Sequence, residues 1–131
     1  MMTFFADIDE FVKDNEGNEE LKPFLEGLTS AKADLTEATQ WFMANAMQNP
    51  NNAGASSMDY LCLTALTCLA FAWAMSAKAA MEKADSGDDF YKNKLITGRY
   101  FLDRVLPEKS AHLAKIKSGS ETMMALAAEA F

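Results

Sequence analysis

Apolar residues recur along this chain at steps of three and four, the spacing of helices that turn one face to a core. No stretch alternates as a half-buried strand would. Phe4, Phe5, Ile8, Phe11 and Val12 mark a short first helix, capped by Thr3 and ending near Asp14. Asn15-Glu16-Gly17-Asn18 reads as a turn. A second helix starts near Asn18 or at Pro23 and runs to about Gln48, with Leu21, Leu25, Leu28, Ala31, Leu35, Ala38, Phe42 and Ala46 on its stripe. Pro23 is tolerated there only because the first turn has no intrahelical N–H bond to lose. Asn49-Pro50-Asn51-Asn52-Ala53-Gly54 is expected to end that helix and form a loop.

Ser56-Ser57-Met58-Asp59 has capping-box spacing with Asp in the Glu position, which predicts a third helix from there to about Asp85. Its middle, Tyr60 to Ala77, runs eighteen residues without a charge. That reaches the minimum length of a membrane span. The run is diluted by Ala, Thr, Ser and Cys, however, and its neighbours are amphipathic. A helix enclosed by protein on all sides, the most buried of the chain, is the expectation, with no membrane span. Asp88 or Asp89 opens a fourth helix with Tyr91, Leu95, Gly98, Leu102, Val105, His112 and Ile116 on its seam, bent but not ended by Pro107. Ser118-Gly119-Ser120-Glu121 repeats the capping spacing before a final helix, Thr122 to Ala130. Short loops between long helices make neighbours antiparallel. The fold expected is all-α: one domain over residues 1–131, an up-and-down antiparallel bundle of three long helices plus short N- and C-terminal helices.

Charge narrows the partners. The net charge of −7 argues against nucleic acid, whose phosphates need a basic face. Residues 1–40 hold three Lys and ten acids, while residues 90–117 hold seven Lys or Arg against Asp103 and Glu108. An acidic and a basic helix lying side by side explain this better than a docking face for phosphates, because the cations of the fourth helix do not share one stripe. Cys62 and Cys68 lie six apart in an apolar helix and match no zinc or redox spacing. They read as small buried hydrophobes of a reducing, cytoplasmic setting.

A chemistry is hard to find. His112 is the single histidine, so neither a Ser-His-Asp triad nor a multi-histidine metal site can be drawn from this chain. Glu37, Asp59, Glu82 and Glu129 are the carboxylates in apolar wording that could serve as a general base, and Asp59 already has a role at a helix start. No Glu-x-x-His suggests a di-iron bundle. Trp41, Phe42, Phe71, Trp73, Tyr91, Tyr100 and Phe101 could line a pocket for a flat ligand, but aromatics at helical spacing are more often core. No catalytic, cofactor-binding or metal residue is assigned.

The wording of Phe90 to Phe131 carries more. Phe90-Tyr91, Lys94-Leu95, Arg99-Tyr100-Phe101 and Leu106-Pro107, then Met124-Ala125-Leu126 and Glu129-Ala130-Phe131, resemble the C-terminal extension of one branch of the bacterial FAD-dependent acyl-CoA dehydrogenases. Leu21 to Met47, with its early Pro, Leu/Ala stripe, Glu37-Ala38-Thr39 step and aromatic pair, looks like that extension's first long helix. In character the chain is similar to bacterial enzymes acting on short or sulfur-containing acyl-CoA thioesters. The resemblance implies a fragment of an oxidoreductase of fatty acid metabolism, with FAD and the glutamate base in domains upstream of this segment. It implies no cofactor in this chain. Met1-Met2 leading straight into Thr3 reads as a cut at a domain boundary or as a split reading frame.

The resemblance therefore implies a catalytically silent domain whose partner is the catalytic body of a parent dehydrogenase, supporting its acyl-CoA site or subunit packing. The other reading is a stand-alone bundle that holds an acyl chain or a protein partner. Cut from its body, the domain is expected to form a homodimer, because the short first helix cannot cover the groove of three longer ones. The alternative cover is the final helix, with Met123, Met124, Leu126 and Phe131 folded back.

Overall fold

The computed structural model describes Met1–Phe131, and every regular element in it is a helix. The order is α1 (Met2–Asn15), α2 (Lys22–Asn45), α3 (Pro50–Met81), α4 (Asp89–Tyr100), a π-helical turn (Phe101–Val105), α5 (Glu108–Ser118) and a 3-10 turn at Ala128–Ala130. α3 packs against α2, α4 and α5, and α1 lies on α2.

The stripe of α2 makes the core. Leu21, Leu28, Ala31, Leu35 and Ala38 are fully buried, and Phe24 and Leu25 nearly so. Leu21, Phe24, Leu25, Leu28 and Ala31 meet Ile8 of α1, Leu66, Ala70, Ala74 and Ala77 of α3, and Phe101 and Leu106 at the two ends of the π turn. A smaller cluster at the other end joins Leu35, Ala38, Leu63 and Ile116. Close approach is arranged by two glycines. A Cβ on Gly98 would stand 2.7 Å from the Phe24 ring, and one on Gly27 2.8 Å from the Leu102 methyl.

The bend expected at Pro107 is the π turn. Pro107 cannot donate to Asp103, and the Leu106 N–H reaches back five residues to the Phe101 carbonyl at 2.9 Å. The wider turn brings Phe101 and Leu106 into the same core, at 5% and 3% exposure.

Four expectations need correction. α3 begins at Pro50, not at Ser56: Asn49 is its cap, accepting from the Asn51 N–H at 3.1 Å, and Pro50 sits where a missing N–H costs nothing. Residues 51–54 are therefore helix, and α2 has already ended at Asn45. The Ser56–Asp59 segment is helix interior; Ser56 is fully buried and donates to the Ile116 carbonyl of α5 at 3.2 Å.

Secondly, α3 is not enclosed. Met58, Leu61, Leu69 and Met75 are 45–68% exposed. α2, α4 and α5 cover only part of the helix circumference, and α1 reaches it only around Phe71 and Lys78. Thirdly, Cys68 lies on that open side and Cys62 is only half-buried. Lastly, no helix spans Thr122 to Ala130. The chain leaves α5 through Gly119 at φ +65°, where the Asn52 carboxamide oxygen accepts from the Ser120 N–H at 3.0 Å and its hydroxyl at 2.8 Å. Beyond this latch a nine-residue helix with nothing to pack on would be marginal. Met123, Met124, Leu126 and Phe131 stay exposed and close no groove.

Candidate functional site

The four carboxylates with the wording of a general base do not converge. Glu37 of α2 pairs with Lys117 of α5 on the surface. Glu82 follows the end of α3, and Glu129 lies in the exposed C-terminal segment. Asp59 caps no helix. It projects from the interior of α3 toward α5, where its Oδ1 lies 2.8 Å from His112 Nδ1 and 3.6 Å from Lys115 Nζ. His112 and Asp59 are both largely covered, at 17% and 20% side-chain exposure, and satisfy each other. Neither faces a nucleophile or a cavity.

The cations of the C-terminal half answer the acids of the N-terminal half. Lys109 of α5 meets Asp34 of α2 at 2.5 Å, a pair that is mostly covered, and Lys32 pairs with Asp9 across α1 and α2. With Lys117–Glu37 and Lys115–Asp59, the Lys109–Asp34 pair staples α5 across α2 and α3. Two of the seven cations of residues 90–117, Lys109 and Lys117, thus pair with acids of residues 1–40, and only part of the charge asymmetry is answered inside the domain. Lys94 rests 4.8 Å from the Trp73 ring centroid, with the geometry of a cation–π contact.

The aromatic residues separate into four places. Trp41 and Phe42 join Tyr60 near the α2 C-terminus, Phe71 packs on Phe4 and Phe11 of α1, Trp73 stacks on Phe101, and Tyr91 meets Phe90. Tyr100 points to solvent at 62% exposure. They cement helix pairs and line no common pocket.

Of several surface concavities, two bear on function. A polar cleft of about 700 Å³ lies between the α2–α3 junction and the α5 end, lined by Trp41, Asn45, Asn49, Asn52, Lys117 and Met124 among others. A groove of about 500 Å³ between α1 and α2 is lined by Met2, Phe5, Asp9, Lys32, Thr36 and Met43 among others. The first offers carboxamides, the Ser118 and Ser120 hydroxyls, the Lys117 ammonium and the Glu121 carboxylate, the second methyl groups, threonine hydroxyls and an ion pair. In neither does a hydroxyl bond to a base: Ser118 donates to the Lys115 carbonyl, Ser120 to the Asn52 carboxamide, and Thr36 and Thr39 to backbone carbonyls of α2. No three ligating side chains gather that could hold a metal. Sequence reasoning missed the first because it read Asn49 to Gly54 as a loop, when Asn49-Pro50 is a helix start.

The surface is the more telling feature. Only 22 of 131 residues are buried, while fifteen large hydrophobic side chains are exposed. Met58, Leu61, Leu69 and Met75 of α3 form one part of that apolar surface, and the others are spread over α2, α4 and the termini.

Comparison with known proteins places the chain in a family. Residues 4–127 match the family model described as "Acetyl-CoA dehydrogenase C-terminal like". Ninety-nine residues, 74% of the chain, are 32% identical to the 3-methylmercaptopropionyl-CoA dehydrogenase of Ruegeria pomeroyi, and span 17% of that enzyme's length. With nearly its whole length inside the family model, this chain belongs to the acetyl-CoA dehydrogenase C-terminal-like family.

Proposed function

We propose that this chain is the accessory C-terminal domain of an FAD-dependent acyl-CoA dehydrogenase, catalytically silent alone, packing on the catalytic body to support its acyl-CoA site or its subunit contacts. The observation that carries the reading is the pairing of a family match over residues 4–127 with a domain that leaves fifteen large hydrophobic residues uncovered. Residues 1–131 act as one unit, an up-and-down antiparallel bundle in a cytoplasmic enzyme of acyl-CoA oxidation. The named relative acts on a sulfur-containing acyl-CoA, and a short thioester of that kind is the substrate class we assign to the parent enzyme.

The flavin belongs to the body. A flavin pyrophosphate needs a cradle of backbone N–H groups, usually in a glycine-rich turn opening a helix. Here the glycines with positive φ, Gly87 and Gly119, stand singly in turns, and no such loop exists. This chain's residues do not fit FAD, and no step of the oxidation is assigned to them. α3 is long and apolar enough to cross a membrane. Its packed side supports protein surroundings instead: Thr67 is fully buried with its hydroxyl 3.4 Å from the Ala31 carbonyl of α2, and Asp59 is paired to α5.

The test is genetic and then kinetic. The coding DNA immediately upstream should encode a flavin-binding dehydrogenase body. That body, expressed without residues 1–131, should keep its flavin but lose acyl-CoA affinity or subunit assembly. A body with unchanged KM, assembly and melting temperature rules the supporting role out. A second reading, a bundle that holds an acyl chain, would require lipid or acyl-CoA to copurify with the chain in native mass spectrometry.

A further inference from the structure

The open side of α3 has an internal order. Met58, Leu61, Ala65, Cys68, Ala72, Met75 and Ala79 follow one another at steps of three and four, and all seven are exposed. That is a heptad seam of three repeats, about 32 Å long at 1.5 Å per residue. One set of positions carries Met58 and then Ala65, Ala72 and Ala79, and the three alanines admit another helix closely. The other carries Leu61, Cys68 and Met75, of which Leu61 and Met75 are large enough to fill the holes between. Leu69 broadens the stripe at 48% exposure. No charge occurs from Tyr60 to Ala77, although the chain as a whole carries −7.

We infer that this seam is an interface between two copies of the chain, paired through α3 about a twofold axis parallel to the helix. A 3.5-residue repeat is a register for another helix, and a twofold interface must be complementary to itself. An uncharged seam meets that condition, because it brings no like charges together. The flanks add direction. On one side, Phe4 and Phe11 of α1 pack on Phe71, and Asp7 and Asp14, each three residues further along α1, lie exposed. On the other side is α4, with Lys94 over Trp73. Lys78, on the α1 side, lies over the Phe11 ring. A twofold axis along α3 sets each copy's Asp7 and Asp14 opposite the other copy's Lys94, whereas an axis across α3 sets acid against acid. The stripe offers roughly 500–600 Å² of apolar surface per copy, at the small end of a specific pairing and at the upper end of what a monomer leaves bare.

The inference rests on the accessory-domain reading, in which the isolated chain self-associates, and it names the surface. Sedimentation equilibrium of the full chain from 1 to 100 µM should show a dimer. Ala65→Glu with Ala72→Glu should weaken it roughly 100-fold or more by placing four carboxylates in an apolar seam. Both positions are exposed in one copy, so the helical spectrum should persist. In parallel register Cys68 meets its counterpart, so the oxidant diamide, which takes up both thiol hydrogens, should link the dimer covalently. Cys68→Ala should abolish the link and Cys62→Ala should leave it. A strict monomer overturns self-association itself. A dimer that ignores the two glutamates overturns the seam alone, and a seam dimer without the Cys68 link overturns the parallel arrangement.

Discussion

Three glycines in helices, Gly54, Gly27 and Gly98, allow the packing to be tested with one substitution. Alanine in place of glycine gains about 1 kcal/mol in a helix interior. What the new methyl group meets decides whether that gain survives. At Gly54 nothing lies within 4 Å, so the full gain should appear. At Gly27 the nearest atoms are the Leu102 methyl at 2.8 Å and the Leu106 methyl at 3.2 Å, ends of flexible side chains that can turn aside. The net there should fall within about 1 kcal/mol of zero. At Gly98 the methyl would sit 2.7 and 2.9 Å from two Phe24 ring atoms and 3.1 Å from the Trp73 ring. Phe24 is 2% exposed and Trp73 is stacked on Phe101, so neither ring has room to move. Overpacking of that kind costs about 1–3 kcal/mol, and rigid rings place it in the upper part of the range. Gly98→Ala should lose about 1–2 kcal/mol net. For 131 residues each kcal/mol shifts the melting temperature by roughly 3–4 °C. Thermal scans at one fixed protein concentration should rank the variants Gly54→Ala above wild type, Gly27→Ala near it, and Gly98→Ala below it by several degrees. A Gly98→Ala protein as stable as wild type would refute the close contact of α4 with α2 and α3.

Leu66→Asp should leave the domain unfolded or molten. Leu66 is 8% exposed, and an unpaired buried carboxylate costs several kcal/mol against a total stability of about 5–15 kcal/mol. An unchanged melting curve would mean that the packed side of α3 is misassigned. Asn52→Ala removes both bonds to Ser120 and should cost about 1–2 kcal/mol. Limited proteolysis should then cut faster after Gly119, and an unchanged digest would show that the latch is immaterial. The purified chain should be colourless and inactive on every acyl-CoA; a yellow sample with stoichiometric FAD would contradict the assignment.

The sequence shows its packed faces well and its open ones poorly. The spacing of Leu21, Leu25, Leu28, Ala31, Leu35 and Ala38 locates the core, since each of these residues meets a neighbour inside this chain. Leu61, Leu69 and Met75 carry the same hydrophobicity but face outward, and composition alone cannot tell a partner within the chain from one outside it. The heptad spacing of Met58 to Ala79 was the available signal, masked by apolar residues on the other sides of α3. Asn49-Pro50 was misread for a local reason: the pair breaks one helix and starts the next, and only the Asn49 cap distinguishes the two roles. The capping spacing at Ser118 to Glu121 failed because a cap cannot hold a short helix without a surface to pack on. Of a catalytic site, the residues show nothing that the structure then assembles. Asp59 and His112 could be singled out separately, but their pairing joins residues 53 apart in sequence.

Whether this domain completes a dehydrogenase can be measured directly. The decisive measurement is native mass spectrometry of the parent body, prepared with its flavin but without residues 1–131, titrated with the separate chain. A complex with one chain per body, formed at micromolar concentration and restoring the acyl-CoA affinity or assembly lost on removal, is the result expected. A body that ignores the chain at tens of micromolar, and works equally well without it, would contradict the account.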